Sequence, residues 1–266
     1  MRSDADSGST NLGQVWNIAH RGASGHAPEN TLGAFRLAAK MGARFIETDL
    51  RLTRDGHVVA VHDATVNRTT NGRGWVSRMS LAKIRELDAG AHFAGAKRSP
   101  LAERIPTLEE ILGFAREART GCYLELKSRA RQGLEEKVIR ALRATKMSSR
   151  SVIISFRATT LRTVRDLDPS ITTGFIVERP TARFIFLAQR IGARQLLPRA
   201  DRTTASLVAA ARRAKLAVVP WTVNDPTSMR RLIAAGVQGI ITNYPDRLAL
   251  LQQLQRSPHT EVAIRH

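Results

Sequence analysis

Short apolar, β-rich runs and amphipathic stretches alternate along nearly the whole chain. Strand-like runs fall at 15–19, 44–49, 122–126, 151–155, 172–177, 194–197, 216–221 and 238–242. Helix-like stretches fall at about 31–41, 107–118, 133–145, 159–166, 181–190, 203–213, 227–235 and 246–255. A strand can rejoin a parallel sheet only through a crossover, and a helix is the usual one. Strict alternation therefore predicts an α/β chain with a parallel sheet, and eight units of each kind predict a (β/α)8 TIM barrel. The first helix illustrates the local logic. Asn30 is expected as its N-cap, Leu32, Phe35 and Ala39 share one face, and Gly42 supplies a left-handed stop. Pro106-Thr107 and Asp225-Pro226 open two later helices in a similar way. The expected organisation is one barrel domain over 15–255, with polar tails at 1–14 and 256–266.

Two regions interrupt the alternation. Residues 50–62, LRLTRDGHVVAVH, read as a hairpin turning at Asp55-Gly56, which sets residue 49 roughly opposite residue 62. Residues 64–105 follow as a small insertion after strand two, rich in Gly, Arg and Ser, with a short helix expected at 80–87. Long excursions in compact domains usually serve a site, so this one is expected over the barrel mouth.

Composition narrows the class. The 266 residues suffice for a full core, and no apolar run approaches the ~20 residues of a membrane span. The polar start MRSDADSGSTNLGQ lacks a signal-peptide core, so a cytoplasmic location is the simplest expectation. Cys122 is the only cysteine, which excludes an intrachain disulfide and a cysteine-based metal cluster. The formal charge of +19 has two readings. It attracts nucleic acid or an anionic lipid surface, or it reflects arginines spread over solvated helix faces. Arg85, Arg116, Arg119, Arg140, Arg143, Arg162, Arg165, Arg212, Arg213, Arg230 and Arg231 are scattered over most helical segments, and aromatics total only 5%. That pattern argues against a specific nucleic-acid partner; the oligomeric state and peripheral membrane contact stay open.

In a TIM barrel the site forms at the C-terminal ends of the strands. Strand one ends in His20-Arg21, strand two in Glu47-Thr48-Asp49, and the hairpin returns to His62-Asp63. Strand three ends in Glu125-Leu126-Lys127, strand seven in Trp221-Thr222-Val223-Asn224 and strand eight in Thr242-Asn243. Residues i and i+2 of a strand share a face, so Glu47 pairs with Asp49 and Glu125 with Lys127. Three carboxylates aimed into one mouth repel each other unless a cation joins them. An oxygen-only set favours one divalent Mg²⁺ or Ca²⁺. The bland alternative is simple ion pairing, Glu125 to Lys127 and Glu47 to Arg44 or Arg51. His20 and His62, flanking such a cation with Arg21 and Lys127, suit phosphoryl chemistry: imidazoles exchange protons and cations neutralise phosphate oxygens.

The blocks AHRG…PENT, ETDLRLTRDGHVVAVHD, NRTTNGRG, IPTLEEIL, LELK, ISF, PWTVND and GIITNYPD, in this order from about 17 to 250, resemble the glycerophosphodiester phosphodiesterase family. The resemblance implies a catalytic barrel of the phosphatidylinositol-phospholipase-C-like kind. It implies metal-dependent hydrolysis of glycerophosphodiesters, such as glycerophosphocholine, to sn-glycerol 3-phosphate and an alcohol. It implies His20 and His62 as the acid/base pair, with their order open, and Glu47, Asp49 and Glu125 as metal ligands. Arg21 is then a phosphate ligand and Lys127 a second cationic contact. Glu29 either orients the site or is a first-turn charge on its helix; Trp221 is either a pocket wall or a core aromatic. The segment 88–106 is expected to face the variable alcohol. Two rivals are a lysophospholipase D-type phosphodiesterase at a membrane surface and a basic nucleic-acid-binding barrel.

Overall fold

The computed structural model of the protein describes residues 15–93, 103–127 and 133–256. The tails expected at 1–14 and beyond 256, and residues 94–102 of the insertion, lie outside the described residues.

The strands are β1 (Trp16–Ala19), β2 (Phe45–Leu52), β3 (Val58–Ala60), β4 (Gly121–Leu126), β5 (Ser151–Ser155), β6 (Thr172–Val177), β7 (Gln195–Pro198), β8 (Ala217–Val218) and β9 (Gly239–Thr242). They pair in the order β8-β7-β6-β5-β4-β2-β1-β9, with every neighbour in this path parallel. The ends approach as well: Gln238 N donates to Val218 O at 3.0 Å, and Ile241 N to Pro220 O at 3.1 Å. The result is a nearly closed (β/α)8 barrel. β3 is the antiparallel arm of the hairpin, with Leu50 opposite Ala60 and Gly56 at φ +82° in the turn. Asp49 O accepts from Val61 N, so residue 49 lies opposite 61, one residue from the expected register.

The helices are α1 (Leu32–Lys40), α2 (Leu81–Arg85), α3 (Leu108–Glu117), α4 (Leu134–Ala144), α5 (Ala158–Leu167), α6 (Ala182–Arg190), α7 (Ala205–Arg213), α8 (Pro226–Ala234) and α9 (Pro245–Arg256). In α3, Leu108, Ile111, Leu112 and Ala115 recur at helical spacing and are fully buried against the sheet. Thr107 and Glu110 close a reciprocal capping box at its start. Asp225 caps α8 and Pro226 occupies its first turn, as expected. The cap of α1 differs from expectation: Thr31 accepts from Ala34 N, while Asn30 adopts φ +58° and turns its side chain into the barrel. Strand seven, expected over 216–221, is short because Pro220 has no N–H to donate. The chain stays extended beyond it, with Trp221 N donating to Pro198 O at 3.0 Å.

Two packed layers follow from the alternation of side chains. Outward residues of the strands meet the helices; inward residues Ile18, Tyr123, Ile154, Ile176, Leu197, Val219 and Ile241 fill the barrel. The insertion carries a small core of its own, in which Val66, Val76, Ile84 and Leu87 pack on Val59 and Val61 of the hairpin.

Candidate active site

The inward apolar residues Ile18, Ile154, Ile176, Leu197 and Ile241 stand next to last in their strands. One step further along the same faces come His20, Glu47 and Asp49, Glu125 and Lys127, Phe156, Glu178 and Trp221. All of these except Asp49 line one cavity of about 260 Å³, together with Arg21 and His62. Asp49 lies beneath it, 1% exposed.

Register fixes the acidic cluster. Asp49 and Glu125 are cross-strand partners of β2 and β4, and Glu47 precedes Asp49 on the same face. One carboxylate oxygen from each of the three lies within 4.8 Å of the others, and all three residues are buried. Protein charges alone do not balance them. Burial, then repulsion from Asp49 and Glu125, pushes Glu47 well above the usual carboxylate range. Burial and Asp49 push Glu125 up to about 7, against the pull of Lys127. Burial also works against Asp49, yet Lys127, Arg21 and His62 and the Asn30 amide hold it below its ordinary value. Asp49 Oδ1 is buried and lies 3.1 Å from Lys127 Nζ, but without an aligned hydrogen bond. A buried oxygen without a full partner, in an all-oxygen set, fits a hard divalent cation.

The simple ion pairs hold only in part. Lys127 Nζ is 2.8 Å from Glu125 Oε1. Glu47 pairs with neither Arg44 nor Arg51; its Oε2 accepts from the Arg21 backbone N–H at 3.0 Å and stands 4.0 Å from His20 Nε2. Arg51 instead donates to the carbonyl of His62 at 2.7 Å, which pins the end of the hairpin.

The turn after β1 aims His20 and Arg21. Arg21 has φ +56° and Gly22 φ +82°. A Cβ on Gly22 would come within 2.7 Å of the Ala34 carbonyl carbon, so only glycine lets the turn lie on α1. His20 Nδ1 is 2.7 Å from Asn243 Oδ1, which leaves Nε2 facing the cavity. His62 Nδ1 is 2.7 Å from Asp63 Oδ1. Burial, with help from Arg21, lowers His20 to about 4 and also lowers His62. Arg21 Nη1 donates to Glu29 Oε1 at 2.9 Å and its Nε stands 3.2 Å from Asp49 Oδ2. Glu29 therefore reaches the site through Arg21. Trp221 Nε1 donates to Leu197 O at 2.8 Å, and its ring meets Phe156 edge-on at 5.4 Å. It is both a cavity wall and an anchored aromatic.

Five contributors carry no role at the site in the sequence reading. Asn30 donates to Asp49 Oδ2 at 3.0 Å and accepts from Thr48 Oγ1 at 2.8 Å. Asn243 orients His20, and Asp63 orients His62. Phe156 and Glu178, just beyond the ends of β5 and β6, line the same cavity. The parity rule was the available signal for these last two, since they follow inward Ile154 and Ile176 by two residues.

Comparison with known proteins is consistent from end to end. The model of the glycerophosphoryl diester phosphodiesterase family matches residues 20–247. A glycerophosphodiester phosphodiesterase of Caldanaerobacter subterraneus subsp. tengcongensis is 40% identical over 233 residues, covering 87% of this chain and 95% of that one. One from Bacillus subtilis is 36% identical, covering 88% and 85%. Among solved structures, an Agrobacterium tumefaciens glycerophosphodiester phosphodiesterase superposes with a TM-score of 0.78 at 28% identity, covering 89% of this chain and 99% of that one. An Oleispira antarctica phosphodiesterase in complex with the product sn-glycerol-3-phosphate gives 0.75 at 29% identity, covering 90% and 95%.

Proposed function

Because the chain belongs to the glycerophosphoryl diester phosphodiesterase family, an enzyme family, we propose that this cavity hydrolyses glycerophosphodiesters to sn-glycerol 3-phosphate and an alcohol. The observation that carries the reading is the convergence of Glu47, Asp49 and Glu125 on one point beside two imidazoles and Arg21. The product named for the Oleispira antarctica structure supports the same substrate class.

Glu47, Asp49 and Glu125 would hold one divalent cation, Mg²⁺ or Ca²⁺, which supplies charge neutralisation and electrophilic polarisation of a phosphate oxygen. Arg21 and Lys127 neutralise the remaining phosphate charge and fix the diester's orientation. One histidine takes the proton of the glycerol 2-hydroxyl, which is held beside phosphorus, and internal attack gains from that proximity. The other histidine protonates the departing alcohol. Water then opens the cyclic phosphate with the two histidines in exchanged roles. Burial, with Arg21 nearby, favours the neutral form of both His20 and His62. Asn243 and Asp63 fix which ring nitrogen faces the substrate. Trp221 and Phe156 wall the space left for the glycerol and alcohol carbons.

Among the described residues no helix is long and apolar enough to cross a membrane. The test is release of glycerol 3-phosphate from a diester panel, with EDTA and with metal restored. The reading expects turnover of glycerophosphocholine, loss with EDTA and recovery with Mg²⁺ or Ca²⁺. It expects very poor turnover of a diester lacking the vicinal hydroxyl; brisk hydrolysis of that compound would reject the cyclic route. Faster turnover of lysophosphatidylcholine than of glycerophosphocholine would move the substrate class to lysophospholipids.

A further inference from the structure

The insertion sends one side chain toward the mouth, and its guanidinium touches two carboxylates that serve different members of the site. Arg68 Nε donates to Asp63 Oδ2 at 2.7 Å. Its Nη1 and Nη2 donate to Glu29 Oε2 and Oε1 at 2.8 and 2.7 Å. The other Asp63 oxygen faces His62 Nδ1, and Glu29 Oε1 also accepts from Arg21. A continuous chain therefore runs His62–Asp63–Arg68–Glu29–Arg21, with Arg68 at its centre and outside the cavity lining. We propose that Arg68 is a positioning residue that fixes His62 and Arg21 relative to each other. The role rests on the function proposed above.

The geometry uses what only arginine has. All three guanidinium nitrogens are engaged, in a planar fork that meets Glu29 with two bonds and Asp63 with a third. A lysine ammonium has charge but no fork, and it cannot span both carboxylates in this arrangement. The backbone that carries Arg68 is anchored on both sides. Val66 and Thr70 are fully buried, Thr70 Oγ1 donates to Val66 O at 2.8 Å, and Gly74 N donates to Asn67 Oδ1 at 2.8 Å. The apolar cluster that folds the insertion does not include Arg68. Arg68 is 48% exposed, and ion pairs that open to water add little to stability. Its effect is therefore expected in the site's geometry and not in the fold.

Charge points the same way. Glu29 and Asp63 carry like charges that Arg68 separates and neutralises, and both are held below their ordinary values with Arg68 among the causes. Without Arg68 the two carboxylates lose their shared partner, and the positions of His62 and Arg21 are no longer tied to each other.

The test is steady-state kinetics on glycerophosphocholine with saturating Mg²⁺ or Ca²⁺, for the parent chain, Arg68→Lys, Arg68→Ala, Glu29→Gln and the Arg68→Ala/Glu29→Gln pair. Both Arg68 variants are expected to melt near the parent and to lose roughly ten- to a hundredfold in kcat/KM. Added guanidinium is expected to restore part of the activity of Arg68→Ala and none to Arg68→Lys. Glu29→Gln is expected to cost less in the Arg68→Ala background than in the parent. Parent-like kcat/KM in Arg68→Lys, or full additivity of the pair, would overturn the positioning role while leaving the proposed function standing. Failure of the parent to release glycerol 3-phosphate from any diester overturns both.

Discussion

Asn30 shows how a single side chain can be misread from spacing alone. A polar residue just before a helix is most simply an N-cap, but Thr31 takes that place. Asn30 is free to adopt φ +58° and to support Asp49 and Thr48 from below. Asparagine tolerates this backbone better than most residues, and its amide both donates and accepts. Asn30→Ala removes the side-chain bonds to Asp49 and Thr48 and strains the turn, so a loss of about 2–4 kcal/mol is expected in denaturant unfolding. Asn30→Gly relaxes the backbone and should recover about 1 kcal/mol of that loss. Equal stability of the two variants would contradict the assignment. Glu29 gives a pH test. Arg68 and Arg21 outweigh its burial and hold it below 4.5. A depressed carboxylate stabilises the fold above its unfolded value and loses that contribution as pH falls through its folded one. The melting-temperature gap between the parent and Glu29→Gln should therefore be widest near neutrality and shrink below about pH 4. A gap that widens on acidification would reverse the sign.

At the scale of elements, the two residue periods explain most of what the sequence discloses. Strands of period two and helices near period 3.6 are visible in the order of apolar and polar residues, which is why the alternation and the barrel are legible. The same parity sets Glu47 with Asp49 and Glu125 with Lys127 on one rim, and in the structure Asp49 stands opposite Glu125 where β2 pairs with β4. What the sequence hides are contacts between residues far apart in the chain. Asn243 meets His20 from the far end of the chain, and Arg68 meets Glu29 from the insertion; no local pattern encodes either. The hairpin register differs by one residue because Thr53 and His57 close a three-residue turn where the sequence reading has the two-residue turn Asp55-Gly56. Capping, in contrast, is local. Thr107→Ala breaks the capping box of α3, outside the cavity lining. It should cost about 1 kcal/mol, or a few degrees of melting temperature, with kcat unchanged. A large fall in kcat from this substitution would mean that α3 does more than close the barrel wall.

For the whole molecule, the +19 charge and the acidic cluster are separate matters. Of the scattered arginines, Arg116, Arg140, Arg162, Arg213 and Arg230 lie exposed on helices, which favours a solvated outer surface over one continuous basic patch. The carboxylates are at the opposite extreme, buried where β2 and β4 end. An ion that joins them ties neighbouring strands of the barrel together, so its binding free energy also stabilises the fold. The most direct measurement is anomalous scattering from crystals grown with Mn²⁺. One ion per chain, in contact with Glu47, Asp49 and Glu125, is the result expected. A map with no ion there, or with the ion held elsewhere while glycerophosphocholine is still hydrolysed, would contradict the account.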